Sequence, residues 1–139
     1  VRIALIAQAS NEEGLVLLLT LLTIANLRYL QTHPRCPRLY ATKIRYERET
    51  PGKRGVHGDP LHADEWWTIP EIRRAGWGDC EDLACWRVAE LRHLEGVQAR
   101  PSIREVSPGR WHVRVQLPNG TVEDPSAILL RARAQEAGG

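Results

Sequence analysis

Cys80, His112 and Asp124 are the residues whose types and settings suggest chemistry. Cys80 lies in Gly76–Glu90, GWGDCEDLACWRVAE. Asp79 is a good N-cap, and Asp82 stands three residues later in a box-like position. A helix is expected from Cys80 to about Leu94, ended by Gly96. Gly76 and Gly78 allow the backbone to approach closely before it. Cys80 then sits in the first helical turn, where unpaired N–H groups favour a thiolate. This predicts a thiol pKa below the free value of about 8.5, with the carboxylates of Asp79, Glu81 and Asp82 opposing. Glu81 and Asp82 also suit an amine-bearing or cationic group near a scissile bond. Cys85 has no such setting and reads as structural; CEDLAC is not a redox CxxC.

His112 belongs to an alternating segment, Arg110 to Leu117. Trp111, Val113, Val115 and Leu117 form one face, and His112, Arg114 and Gln116 the other. The turn Pro118–Asn119–Gly120 admits two registers. A two-residue Asn–Gly turn sets Asp124 opposite Val115, away from His112. A three-residue loop, with Pro118 at the second turn position and Gly120 left-handed, sets Leu117 opposite Thr121 and Arg114 opposite Asp124. His112 and Asp124 are then diagonal neighbours on one face. The fit of Pro118 to the turn favours this second register. In it, Asp124 orients His112 and the other ring nitrogen serves Cys80. A thiol nucleophile, an imidazole base and an orienting carboxylate suit attack on an acyl carbon. The Cys80 backbone N–H is the expected oxyanion donor. Asn26, Gln31 and Trp77 are candidates for a second, and the sequence does not choose among them.

The elements that must position these groups are legible in outline. Leu15–Leu27 carries no charge and reads as part of a buried helix from about Glu12 to Leu30, capped at Ser10 or Asn11. A membrane span wants about 20 apolar residues, so membrane insertion is the minority reading. The opening VRIALIAQAS has too short an apolar core for a signal peptide and reads as a disordered or loosely helical lead. A chain that opens on Val1 without Met implies a trimmed start or an alternative start codon. HPRCP (33–37) ends the helix, with Cys36 a small half-buried residue in the connector. Leu39–Glu49 is read as an edge strand or extended arm. Residues 51–65 form an exposed loop over a cleft; its His57, Asp59, His62, Asp64 and Glu65 lack the spacing of a zinc site. EWWTIPEIRRA (65–75) reads as a turn and short helix, with Trp66 and Trp67 in the core or the cleft wall. Val97–Val106 is a strand kept to an edge by Pro101. A short helix follows from Ser126 to about Ala137.

Composition limits what such a site can serve. The chain has 139 residues, 42% apolar and 26% charged, and a formal charge of +2. That is the balance of one globular domain over 1–139, with little pull on nucleic acid. Three cysteines, an odd count, fit a reducing compartment. There is no phosphate loop or dinucleotide fingerprint, so no cofactor is expected, and no metal.

The ordered triple of GWGDCEDLA opening a helix, WHVRV on a strand and NGTVEDPS after it resembles the transglutaminase-like superfamily. The resemblance is nearest to its small bacterial and phage-encoded cysteine proteases and covers about Asn26 to Leu129. It implies an α+β, papain-like core in which a nucleophile-bearing helix packs on a small antiparallel sheet. It implies Cys80 as nucleophile, His112 as base and Asp124 as orienter. The implied activity is that of a cysteine peptidase, amidase or acyltransferase on a peptide or isopeptide bond. The expected partner is a peptide or protein substrate, cell-wall peptide among the candidates, in a cytoplasmic or virion-associated setting. The alternative is a non-catalytic structural or adaptor protein on the same scaffold, meeting a protein partner through the N-terminal helix. A third reading makes Cys80, His112 and Asp124 metal ligands.

Overall fold

The helix that opens at Cys80 is the axis on which the other elements are laid. The computed structural model describes residues 4–7, 12–48, 64–108 and 110–138. In chain order these form strand β1 (Ala4–Ala7), helix α1 (Glu12–Thr32), a 3-10 turn (Leu39–Ala41) and strands β2 (Arg45–Tyr46) and β3 (Asp64–Trp67). Helix α2 (Ile69–Ala75), strand β4 (Trp77–Gly78) and helix α3 (Cys80–Glu95) follow. Strands β5 (Arg100–Ser107), β6 (Arg110–Gln116) and β7 (Val122–Glu123) precede helix α4 (Pro125–Gly138). The fold is α+β, with one helix packed against a small antiparallel sheet.

Helix α3 is buried on two sides. Cys80, Ala84, Cys85, Val88 and Leu91 meet Leu15, Leu19 and Leu22 of α1 and Val113 and Val115 of β6. Leu83, Trp86 and Ala89 meet Leu30, Leu39, Trp67, Ile69, Ile72 and Leu129. These rows follow the helical period and give one helix two apolar faces. Its ends are set as the sequence predicts. Asp79 and Asp82 form the capping box, and Gly96 closes the helix at φ 65°. Gly78 is held close: a Cβ there would lie 3.2 Å from Asp82 Cβ and Leu83 Cδ2.

The expectation of a buried N-terminal helix is corrected. Helix α1 buries Leu15, Leu19, Leu22, Thr23, Asn26 and Leu30, but Val16, Leu17, Leu21 and Ile24 are about half exposed. Its apolar residues run nearly all round, whereas its packing against α3 covers only one stripe. By length and composition alone, α1 is long and apolar enough to cross a membrane. Here its inner stripe is part of the core.

Sheet order is β5–β6–β7, antiparallel throughout. Strand β5, with Pro101, lies at the edge as expected. The β6–β7 register pairs Val115 with Glu123 and Gln116 with Val122. The Leu117 N–H donates to Thr121 O at 2.9 Å, and Gly120 has φ 88°. This is the three-residue loop, not the two-residue turn.

Three local expectations change. The opening segment contains a strand, β1, antiparallel to β3. Asp64 and Glu65 lie in that second strand rather than in a loop. The 39–49 arm contains a 3-10 turn and the short strand β2, parallel to β4. Strand alternation sends Trp66 and Trp67 into the two opposite core clusters. The proposed cap at Ser10 or Asn11, and His57, Asp59 and His62, lie outside the described residues.

Candidate active site

The Asp79 carboxylate faces the start of α3. It accepts the Cys80 N–H at 2.7 Å and the backbone N–H of Asp82. Asp82 is fully buried. Its Oδ2 accepts the Asp79 N–H at 3.0 Å and its Oδ1 the Trp67 N–H at 2.8 Å. The box therefore fixes the helix start and ties strand β3 to it. This corrects two expectations: the Cys80 N–H is taken by its own cap and is not an available oxyanion donor, and Asp82 is a structural tie.

His112 and Asp124 meet as the register requires. His112 Nε2 lies 2.9 Å from Asp124 Oδ2, with both side chains partly exposed. The other carboxylate oxygen, Oδ1, accepts the Ala127 N–H at 3.3 Å, and Asp124 O accepts the Ile128 N–H at 3.0 Å. Asp124 thus starts α4 and holds the imidazole at once. An ionised carboxylate only accepts, so Nε2 carries the proton and Nδ1 has the lone pair.

Cys80 and His112 line the same cavity, of about 510 Å³. Trp66, Trp111 and Tyr46 give it aromatic walls. Asp79 and Glu81 stand at the Cys80 side, and Arg48 and Arg110 add positive charge. Cys80 is 7% exposed. Its thiol turns to Glu81 Oε2 at 3.5 Å, and among the described residues it makes no hydrogen bond to His112.

The thiol's resting state also differs from expectation. Its pKa is raised well above the ordinary 9.0. Burial is the main cause, followed by the charges of Glu81 and Asp79; the Val113 backbone hydrogen bond opposes them. Desolvation and two carboxylates outweigh the helix terminus, whose nearest N–H already faces Asp79.

The other candidates take structural places. Asn26 is fully buried and its Oδ1 accepts the Ile69 N–H at 2.9 Å. Trp77 packs on Trp67, ring centroids 5.0 Å apart. Neither these two nor Gln31 lines the cavity. Trp66, expected in the core or the cleft wall but not as a hydrogen-bond donor to the site, is 3% exposed and lines it. Its buried indole N–H has no partner among the described residues. The Trp66–Trp67 pair read as a strand, with alternate residues facing opposite sides, was the signal for it.

Cys85 is fully buried, with its thiol 3.6 Å from Leu19 O and its pKa pushed by burial up to about 12. Cys36 is half-buried in the connector, and burial raises its thiol too. Donor atoms of Asp79, Cys80 and Glu81 lie within 4.8 Å of one another. His112 and Asp124 stand outside that group, so the described residues do not gather Cys80, His112 and Asp124 as a ligand set. Against protein families, curated proteins and solved structures, the chain finds no match.

Proposed function

We propose that this chain is a cysteine peptidase, amidase or acyltransferase of transglutaminase-like, papain-like type, acting on a peptide or isopeptide bond. The observation that carries the reading is the shared cavity of Cys80 and His112, with Asp124 on Nε2 and Nδ1 left to act as base. Substrate entry turns the thiol from Glu81 to His112. Cys80 Sγ then attacks the acyl carbon as its proton passes to Nδ1. The imidazolium, steadied by Asp124, protonates the leaving amine. Water or a second amine, activated by the same imidazole, releases the acyl group and restores the thiol. Trp66 is assigned as oxyanion donor, because it lines the cavity and its buried indole N–H has no partner among the described residues. Both the thiol and this N–H are nearly closed to solvent, so the wall parts when substrate enters.

The test is turnover of a panel of peptide thioesters and anilides, with and without an added primary amine. Cys80→Ala is expected to abolish turnover, and His112→Ala to lower it by about 100-fold, the scale of general-base assistance. Turnover retained in Cys80→Ala overturns the proposal. Trp66→Phe is expected to lower kcat by about 100-fold with little change in KM; an unchanged kcat removes Trp66 from the oxyanion role.

A second reading has observations of its own. A shielded, protonated Cys80 and the exposed Val16, Leu17, Leu21 and Ile24 on α1 suit a non-catalytic adaptor on this scaffold. Absence of turnover in the unaltered protein, together with a Cys80 that resists alkylation, would favour it.

A further inference from the structure

Strand β7 has only two residues, Val122 and Glu123, yet it delivers Asp124 to His112. So short a strand is held by few ladder hydrogen bonds. Alternation points Glu123 and Asp124 to opposite sides of the sheet. Asp124 reaches His112. Glu123 pairs with the buried Val115 and turns toward α3, where Arg87 meets it. Arg87 Nε lies 2.7 Å from Glu123 Oε2, with the two side chains 13% and 20% exposed. The Tyr40 hydroxyl donates to the same oxygen at 2.6 Å, and the guanidinium lies 4.9 Å from the Tyr40 ring centroid. Arg87 also faces Glu90 Oε1 at 3.3 Å; Glu90, fully buried, accepts the Leu39 N–H at 2.6 Å. Arg87 stands seven residues beyond Cys80, about 10 Å along the same helix.

We propose that Arg87 is a positioning residue for the candidate base: by clamping Glu123 to α3 it holds the adjacent Asp124 against His112, on the helix that carries Cys80. This rests on the reading of His112 and Asp124 as base and orienter. Without that clamp, Tyr40 and the start of α4 still hold the segment, so the expected effect is a small shift; the carboxylate shift needed to break a 2.9 Å hydrogen bond is well under one ladder step. Mere stabilisation and positioning differ in what they predict. A structural tie lowers overall stability. A positioning tie loosens the His112–Asp124 bond while the rest of the fold stays closed.

The test is nitrogen-15 NMR of the whole chain, reading solvent exchange of the His112 Nε2–H ring proton, assigned by its absence in His112→Gln. In Glu123→Ala, Arg87 keeps Glu90, so α3 retains a partner for its buried charge. Exchange of the ring proton is expected to quicken about fivefold or more, with α3 backbone amides as protected as before. Arg87→Met is expected to do the same, and Arg87→Lys to restore most of the protection. If Arg87→Met does not fold, Glu123→Ala decides when read against Tyr40→Phe, which removes only the Tyr40 hydrogen bond and is expected to leave the ring-proton exchange nearly as it was. A smaller change in the ring proton, or a matching loss of protection across α3, overturns the proposal. The readout needs no substrate. A quickened ring proton in a chain without turnover removes the catalytic reading alone. An unchanged ring proton in a chain with full turnover removes the positioning role alone.

Discussion

At the scale of the residue, the governing fact is the competition around Cys80 Sγ. The helix terminus favours the thiolate, while burial, Glu81 and Asp79 favour the thiol, and the latter prevail. The resting thiol is therefore neutral, and the proposed mechanism requires His112 as a base at the moment of reaction. Glu81 both accepts from the thiol and raises its pKa by charge. Glu81→Gln removes that charge, lowers the thiol pKa and increases the thiolate fraction at any given pH. Alkylation of Cys80 at pH 8 should then be faster than in the unaltered protein, by about tenfold for one unit of pKa. Peptide mass mapping after timed iodoacetamide treatment checks it; an equal or slower rate contradicts the role given to Glu81.

At the scale of the element, the caps and the register were legible because they depend on neighbours in sequence. Asp79, Asp82 and Gly96 mark the ends of α3, and Pro118–Asn119–Gly120 sets the loop that pairs Val115 with Glu123. Burial was not legible in the same way. The most apolar segment, Leu15–Leu27, exposes one side, whereas the more polar CEDLACWRVAELRHLE is the central helix. Hydropathy reports what a residue prefers, while burial depends on which elements come to lie beside it. The Cys80 environment was also beyond the sequence: its burial and its turn toward Glu81 follow from tertiary packing. The α1–α3 contact is the main support of one core cluster. Leu22, fully buried in it, should cost about 2–5 kcal/mol when changed to Ala. Urea unfolding monitored by tryptophan fluorescence measures this; a loss under about 1 kcal/mol would mean α1 contributes little to the core.

At the scale of the whole molecule, a buried polar network joins the 3-10 turn, α3 and β7. Burial is the main cause that raises the Glu90 carboxyl above its ordinary 4.5, with the Leu39 N–H and Arg87 opposing. A raised carboxyl binds its proton more tightly in the folded chain. Its contribution to stability is thus fully present below about 4.5 and is lost as pH rises through the raised value. Glu90→Gln should flatten that part of the stability profile. The comparison is the urea midpoint of both proteins from pH 4 to 8; parallel profiles would show that Glu90 does not titrate between folded and unfolded states in this range.

The cooperation of Cys80 with His112 is tested most directly by the alkylation rate of each cysteine from pH 6 to 10, in the unaltered protein and in His112→Ala. The account predicts that Cys80 reacts faster than the fully buried Cys85 near neutral pH, and that His112→Ala slows it about tenfold or more there. It also predicts that the gap between the two proteins narrows toward pH 10, as more thiolate forms without a base. A Cys80 rate that is the same in both proteins across the range, or no faster than that of Cys85, would contradict it.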